Sequence, residues 1–349
     1  MPKKFLLITK IGALLLLAAC AQKLTLSPTK FSAMKDWPEA SAEIGSLQAF
    51  RQSCVALEKR KKPMLIAKET ISVESWRNIC SKAKLAKNSA EFFSTEFKPF
   101  RARNNLSGSA HFTGYHLPLL QGSLSRSERF SVPLYRLPAE NLRTLTRAEI
   151  NAGALAEKNL ELVWVDDAVE AFFLHIQGSG EVELPDGKRI LVGYAGQNGR
   201  KYKALGVYMK KQGWLPEKGI SADMIKDWLR ANPERAQEVM EQNPSYAYFR
   251  QLKTQQPLGA QGVELTDRHS LAVDKRFIPL GVPVFVDTSI NESPKYRGEK
   301  FRKLMIAQDT GGAIKGPIRA DIFFGAGEEA AERASVMNAN GAMYLLLPK

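Results

Sequence analysis

The 349-residue sequence predicts a mainly β protein of the α+β class, with helices at its N-terminal end and a helical interlude between two strand-rich regions. Three patterns predict this. Over residues 39–87 apolar residues recur at helical spacing, with a break at Lys62-Pro63. From Ser107-Gly108-Ser109 onward, short apolar runs are punctuated by Gly and Pro, and residues 160–165, 171–176 and 189–193 read as strands. The last hundred residues are strand-rich again, at 270–273, 282–286, 304–307 and 342–347. Between them, Pro185-Asp186-Gly187 has the chemistry of a tight turn, which predicts a hairpin pairing 172–184 with 188–194. Helical spacing returns over residues 203–250, where Ser221 is suited to cap 222–230 and Pro233 to open the next helix.

The first residues form a separate signal. Lys3 and Lys4 precede an apolar stretch over 11–17, which ends in Leu17-Ala18-Ala19-Cys20. This reads as a secretory leader (1–19) and a bacterial lipobox, too short to span a bilayer and interrupted by Lys10. Cys20 becomes the lipidated mature N-terminus, followed by a polar tether (20–40) containing Pro28 and Pro38. Several acyl chains on one residue hold a protein at a membrane far more firmly than one. Ala21, where an Asp would retain such a protein at the inner membrane, points to the periplasmic face of the outer membrane. Cys54 and Cys80 each fall in a helix-like segment. In an oxidising compartment they form either a bridge between two helices or two buried free thiols. No Cys/His spacing suits a metal, and neither metal nor cofactor is expected.

The formal charge is +14, and removal of the leader deletes three lysines and no acid. So basic a surface favours a polyanion or an anionic membrane face. Export argues against nucleic acid, whereas peptidoglycan, with carboxylates on its stem peptides, fits both facts.

The chemistry concentrates in residues 306–325. Asp309 ends an apolar strand and enters the loop Thr310-Gly311-Gly312-Ala313, where glycines permit tight turns and close approach of a ligand. Asp321 stands at the start of another apolar run, where alternation puts Arg319, Asp321 and Phe323 on one face and Ala320, Ile322 and Phe324 on the other. Burial and a nearby Asp309 raise the pKa of Asp321, while Arg319 lowers it if it faces the acid directly. The alternative is that both aspartates are turn and cap residues. Val286-Asp287-Thr288-Ser289 and Gln308-Asp309-Thr310-Gly311 also look like paired aspartic-protease elements. Only 22 positions separate the two acids, too few for two lobes, and the Gly-Gly and Arg-x-Asp that follow serve no part of such a site.

These residues resemble the membrane-bound lytic murein transglycosylase A family. The C-terminal part is similar to its three-aspartate domain, with Asp274 ahead of Ile278-Pro279-Leu280-Gly281, Asp309 in Asp-Thr-Gly-Gly-Ala-Ile and Asp321 in Arg-x-Asp. Upstream, Phe112-Thr113-Gly114-Tyr115 looks like the family's Phe-Thr-Gly-Tyr segment. The run from Phe172 to Gly180, Gly193-Tyr194-Ala195-Gly196-Gln197-Asn198-Gly199 and Gln242-Asn243-Pro244-Ser245-Tyr246 are similar to further family blocks in the same order. The likeness spans residues from about 100 to 349. The chain departs from the family at His116-Leu117-Pro118, where another aromatic and an acid usually precede Pro.

The resemblance implies a double-psi β-barrel (41–118 and 244–349, with the N-terminal helices) and a second, β-rich glycan-binding domain inserted at 119–243. It implies cleavage of the β-1,4 bond between N-acetylmuramic acid and N-acetylglucosamine in peptidoglycan glycan strands, with closure of a 1,6-anhydro ring. Asp321 would be the single acid/base, supported by Asp309 and Asp274. Substrate contacts would come from Thr113, Gly114, Tyr115, Gln177, Ser179, Tyr194, Gln197, Asn198, Gly311, Gly312 and Arg319, with the two tyrosines as stacking faces. Two rival functions stand beside this one. In the first, Asp309 and Asp321 are the acid and base of an inverting hydrolase; in the second, the barrel binds cell wall without cutting it. Cell-wall synthesis or division proteins are conceivable partners, none identifiable from the sequence.

Overall fold

The computed structural model describes residues 22–105, 107–217, 220–291, 296 and 298–349. The leader and Cys20, read above as signal and lipidation site, lie outside these residues. No helix among the described residues is long and apolar enough to cross a membrane.

The described chain opens with β1 (Leu24–Pro28), α1 (Trp37–Ala42) and α2 (Ile44–Leu57). A small hairpin of β2 (Met64–Ile66) and β3 (Glu69–Ile71) follows, at the break marked by Lys62-Pro63, and then α3 (Val73–Leu85) and α4 (Ser89–Glu96). Ser72 and Asn88 start the last two helices by accepting hydrogen bonds from the Ser75 and Glu91 amides, which satisfies donors that a helix start leaves orphaned. Cys54 on α2 and Cys80 on α3 form a disulfide with their Cα atoms 5.5 Å apart. The helices share one core with the strands that follow: Phe50, Phe92, Phe93 and Phe97 contact one another with ring centroids 5.0–5.9 Å apart. Each ring so buried stabilises the fold by roughly 1.5–3 kcal/mol.

After β4 (Phe97–Asn104) and β5 (Ala110–Leu117) the chain enters a second lobe. Its elements are β6 (Leu119–Ser123), β7 (Val132–Tyr135), α5 (Arg147–Glu149), β8 (Glu161–Val165), α6 (Ala168–Gln177), β9 (Ser179–Glu183), β10 (Arg189–Gln197), α7 (Leu205–Lys211), α8 (Ala222–Ala231), α9 (Pro233–Glu241) and β11 (Ala247–Gln251). They build a six-stranded sheet in the order β11-β10-β9-β6-β8-β7. The chain then returns through β12 (Ser270–Val273), β13 (Pro283–Ser289), β14 (Lys300–Asp309), β15 (Arg319–Ala326), α10 (Glu328–Val336) and β16 (Asn338–Pro348).

In the first lobe β5, β15, β12, β14, β13 and β16 are neighbours in that order, and β16 pairs back with β5 to close a six-stranded barrel. The β5–β15 and β12–β14 pairs are parallel and the others antiparallel. This arrangement is consistent with a double-psi β-barrel. Closure depends on the length of β16, whose first residues pair with β5, the middle with β13 and the last with β4. Leu117, Leu191, Leu252, Leu265 and Phe323 form an apolar cluster that joins the two lobes.

Two sequence expectations need correction. Residues 171–176 belong to α6, a helix, so the hairpin at Asp186-Gly187 has the shorter β9 as its first strand. The Asp167 side chain accepts from the Val169 and Glu170 amides, and Gly178 ends the helix at φ +83°. The apolar run reads as a strand because the helix is covered on two sides: Ala171 and Leu174 pack on the sheet, while Phe172 and Phe173 pack against α7–α9. The second correction concerns residues 247–251, most of which fall in the stretch read as helical and which form β11 on the edge of β10. Tyr246, Tyr248 and Phe249 are buried there.

Candidate active site

The register of four strands assembles the site. Asp321 near the start of β15 lies opposite Thr113 of β5 on one side and Ala272 of β12 on the other, and Ala272 is also opposite Asp309 at the end of β14. Parallel register further aligns Arg319 with His111 and Phe323 with Tyr115. Side chains alternate along a strand, so His111, Thr113 and Tyr115 share a face with Arg319, Asp321 and Phe323. The opposite face, Ala320, Ile322 and Phe324, enters the core.

The contacts are short and directional. Thr113 Oγ1 donates to Asp321 Oδ1 at 2.5 Å, and Arg319 Nη2 donates to Thr113 Oγ1 at 2.7 Å. The other terminal nitrogen, Nη1, donates to the Ala320 carbonyl. Asp309 accepts from the Ala260 and Thr310 amides at Oδ1, both at 2.8 Å, and from the Tyr115 hydroxyl at Oδ2, 3.0 Å. Asp274 takes a two-pronged contact from Arg276 (2.5 and 2.9 Å) and the Gly316 amide at 2.9 Å.

These environments push the carboxyls apart. Burial lifts the pKa of Asp321; the Thr113 hydroxyl and the Arg319 charge oppose it, the Asp309 charge adds to it, and the outcome is about 6. Burial also raises Asp309, against its three hydrogen bonds. At Asp274 burial is outweighed by Arg276 and the Gly316 amide, which bring it down to about 2. Burial raises Tyr115 well above its ordinary value, with the charges of Asp309 and Asp321 adding, so its hydroxyl stays a donor. Asp321 is therefore the carboxyl suited to carry a proton near neutral pH and release it, while Asp274 is an ionised brace for the loop before β15.

The expected contact residues separate into groups. Thr113, Tyr115 and Arg319 surround the two acids, but Tyr115 packs its ring on Phe323 (centroids 5.2 Å apart) and points its hydroxyl at Asp309. This occupies the face expected to stack on sugar. Gly114 lies on the inner face, where a Cβ would meet Phe324 at 2.6 Å and the Ala334 backbone at 2.8 Å; it permits the barrel to pack on α10, which replaces the expected ligand contact. Gly311 makes room for Ile314, and Gly312 borders Tyr202 of the second lobe, so the Gly-Gly loop is where the lobes face one another beside the acids.

Gln177, Ser179, Tyr194 and Gln197 belong to the α6–β9–β10 part of the second lobe, with Tyr194 half-exposed at 49%. Asn198 is 2% exposed, and its amide is committed to the Leu145 and Pro244 carbonyls and to the Tyr246 and Arg200 amides. That leaves it no free group for the sugar contact expected of it. His116, in the segment that departs from the family, is held neutral by burial, with a pKa of about 4, and Leu117 belongs to the cluster between the lobes. Sequence reasoning missed the Ala260 amide and Tyr202. The signal for the first is Gly259, where a Cβ would sit 2.5 Å from the Gln308 carbonyl. Among the described residues no group of three or more His, Cys, Asp or Glu could hold a metal.

Both lobes have counterparts among known proteins. Residues 111–250 match the model of the MltA specific insert domain, and residues 269–347 match that of the 3D domain. The membrane-bound lytic murein transglycosylase A of Escherichia coli (strain K12) is 35% identical over 242 residues, 68% of this chain and 66% of that protein, so the alignment spans just under two thirds of the relative's length. The crystal structure of MltA from Neisseria gonorrhoeae in its monoclinic form superposes with a TM-score of 0.78 at 32% identity, covering 93% of each chain. E. coli MltA with bound chitohexaose superposes with a TM-score of 0.72 at 26% identity, covering 94% of each chain.

Proposed function

Because the chain belongs to the membrane-bound lytic murein transglycosylase A family, we propose that it is a peptidoglycan lytic transglycosylase that cleaves the β-1,4 bond between N-acetylmuramic acid and N-acetylglucosamine, with Asp321 as its acid/base. The observation that carries this reading is the Asp321 carboxyl, half-buried, raised to a pKa of about 6 and, among the described residues, hydrogen-bonded through one oxygen only.

Protonated Asp321 gives its proton to the glycosidic oxygen as the bond to C1 of muramic acid breaks through an oxocarbenium-like state. The carboxylate formed then takes the proton of the muramic acid C6 hydroxyl, whose oxygen bonds to C1 and closes the 1,6-anhydro ring. The proton given leaves on the N-acetylglucosamine hydroxyl, another is regained from the C6 hydroxyl, and no water is consumed. An internal nucleophile has a high effective molarity, so a second catalytic carboxylate is unnecessary. Asp309 supports the acid by its charge. Its two oxygens already accept three hydrogen bonds, which leaves it a poor base for water and weighs against an inverting hydrolase. Asp274 holds the 310–318 loop through Gly316. Glycan would lie between the lobes, beside the Gly-Gly loop, with Tyr194, Gln197, Ser179 and Gln177 on the second lobe as its further contacts. The chitohexaose held by the E. coli structure supports a site for a chain of sugars.

The same reading takes residues 119–251 as the inserted domain and the rest of the described chain as the barrel domain. It takes Cys20 as the lipid anchor to the outer membrane. Digestion of purified murein, with products weighed by mass spectrometry, tests the activity. Products one water lighter than hydrolysis products, absent with Asp321→Asn, are expected. Hydrated reducing ends would move the reaction to hydrolysis, and no release by either protein would leave a wall-binding barrel.

A further inference from the structure

We propose that Arg319 and Thr113 form a one-way hydrogen-bond relay that fixes which oxygen of Asp321 carries its proton, Oδ2, and that both are positioning residues, outside the set of substrate contacts. The proposal deepens the reading of Asp321 as acid/base and rests on it for its catalytic meaning.

The argument is one of valence. A guanidinium has five donors and no acceptor, and it stays charged. Arg319 Nη2 points at Thr113 Oγ1 from 2.7 Å, so the hydroxyl oxygen must accept there. A threonine hydroxyl has a single proton, and it is left for Asp321 Oδ1, 2.5 Å away. The orientation cannot reverse while Arg319 is in place, because a hydroxyl turned toward the guanidinium would set proton against proton. Arg319 itself is held by its second bond, to the Ala320 carbonyl next to Asp321 in the chain. When Asp321 is protonated, its carbonyl oxygen is a better acceptor than its hydroxyl oxygen. A permanent donor on Oδ1 therefore makes Oδ1 the carbonyl and Oδ2 the O–H.

Oδ2 is the oxygen that is free to act. It takes no hydrogen bond from the described residues, and Asp321 is only partly buried, which leaves that side of the carboxyl for a ligand. Charged and titratable groups face the carboxyl from the strands around it: Asp309 from β14, Tyr115 and, beside Arg319, His111 from β5, and Arg319 on β15 itself. Among the described residues only Thr113 hydrogen-bonds to it. The relay thus keeps the mobile proton on the exposed side, where a glycosidic oxygen can reach it, and holds the carboxyl plane through the half-cycle in which Asp321 is a base.

Three variants test this in the full chain: Thr113→Val, Thr113→Ser and Arg319→Met. Titration of 13C-carboxyl aspartate by NMR, without substrate and with Asp321→Asn to assign the signal, reads the acid directly. Loss of the Thr113 donor, or of the cation that orients it, is expected to raise the Asp321 pKa, and serine to return it toward wild type. Isotope-edited infrared spectra should show the protonated carbonyl band moving to higher frequency in Thr113→Val, because that oxygen has lost its donor. In murein digestion kcat should fall about 10–100-fold with KM unchanged. The loss of activity on raising pH should come at higher pH, since a general acid with a raised pKa keeps its proton longer.

An unchanged pKa and carbonyl band in Thr113→Val would overturn the relay. A rise in KM with kcat intact would overturn it in favour of a sugar contact. If Asp321→Asn still digests murein, the acid/base reading fails, while the two spectroscopic measurements still decide the hydrogen bonding on their own.

Discussion

Each lobe contains a buried polar network, and they differ in whether any hydrogen-bonding capacity is left over. In the second lobe Arg147 is buried with its three nitrogens on the Asn243 carbonyl, the Ser245 carbonyl and His175 Nδ1, and its guanidinium lies over the Phe172 and Tyr246 rings. Asn198 beside it gives two hydrogen bonds and accepts two, and the Asn243 side chain accepts from the Lys203 and Ser245 amides. Each nitrogen of Arg147 and both polar atoms of the Asn198 amide are engaged, and the result is a clamp that ties the α5 turn, the end of β10 and the approach to β11 together. At the barrel end Arg319, Thr113 and Asp321 form a chain of the same kind, but its last oxygen has no partner among the described residues and its acid is held at a pKa of about 6. A closed network holds a fold, and a network with one open valence can react. Sequence blocks of equal density can therefore encode either.

The sharpest way to break this comparison is at the open end. Asp321→Asn is expected to lower the release of anhydro products by about 10³-fold or more, with circular dichroism unchanged. Substantial residual release would remove the distinction between the two networks. The next effect falls on the closed network. Arg147→Met leaves two buried carbonyls without donors, and unfolding by urea should register a loss of about 3 kcal/mol; murein cleavage per folded molecule should persist. Loss of activity at unchanged stability would make the second-lobe network part of the chemistry.

A third test uses the cost of holding a reactive acid. The folded pKa of Asp321 lies above its unfolded value, so its contribution to stability is full below about pH 4 and is lost as pH rises through about 6. Asp321→Asn abolishes that loss. The variant should gain about 2–3 kcal/mol over wild type at pH 8, and the gain should vanish toward pH 4. Thermal unfolding across that range measures it, and a gain independent of pH would refute the burial argument. The smallest effect belongs to Asp309→Asn. Removal of its charge should lower the Asp321 pKa, so that activity falls off at lower pH, with a drop in kcat of about tenfold near neutrality. An upward move of the limb would reverse the assigned role of Asp309.

Much of the barrel end was legible from the sequence. Alternation put Arg319, Asp321 and Phe323 on one face, as found, and the strands at 270–273 and 304–307 fall within the strands observed. Those segments are short runs buried along their whole length. What was illegible depends on partners distant in the chain. Nothing local tells that Thr113 faces Asp321 or that Tyr115 turns its hydroxyl to Asp309, because parallel register between β5 and β15 decides both. Nothing local tells that the Asn198 amide is enclosed, because the enclosing carbonyls come from Leu145 and Pro244. The apolar run in α6 fails for another reason: a helix covered on two faces loses the one-sided stripe by which helices are recognised.

The pairing of Thr113 with Asp321 joins residues 208 positions apart. A chain is synthesised from its N-terminal end, so Thr113, Tyr115 and the second lobe are available well before the acid arrives. Long-range pairings of this kind form late and slowly. Until β15 slots beside β5 there is neither an enclosed carboxyl nor a donor to orient it, and any chain that stops short of β15 has the second lobe without the acid. Topology thus acts as a safety catch: on the proposed reading the acid is armed only when the last strands have been delivered and the barrel has shut.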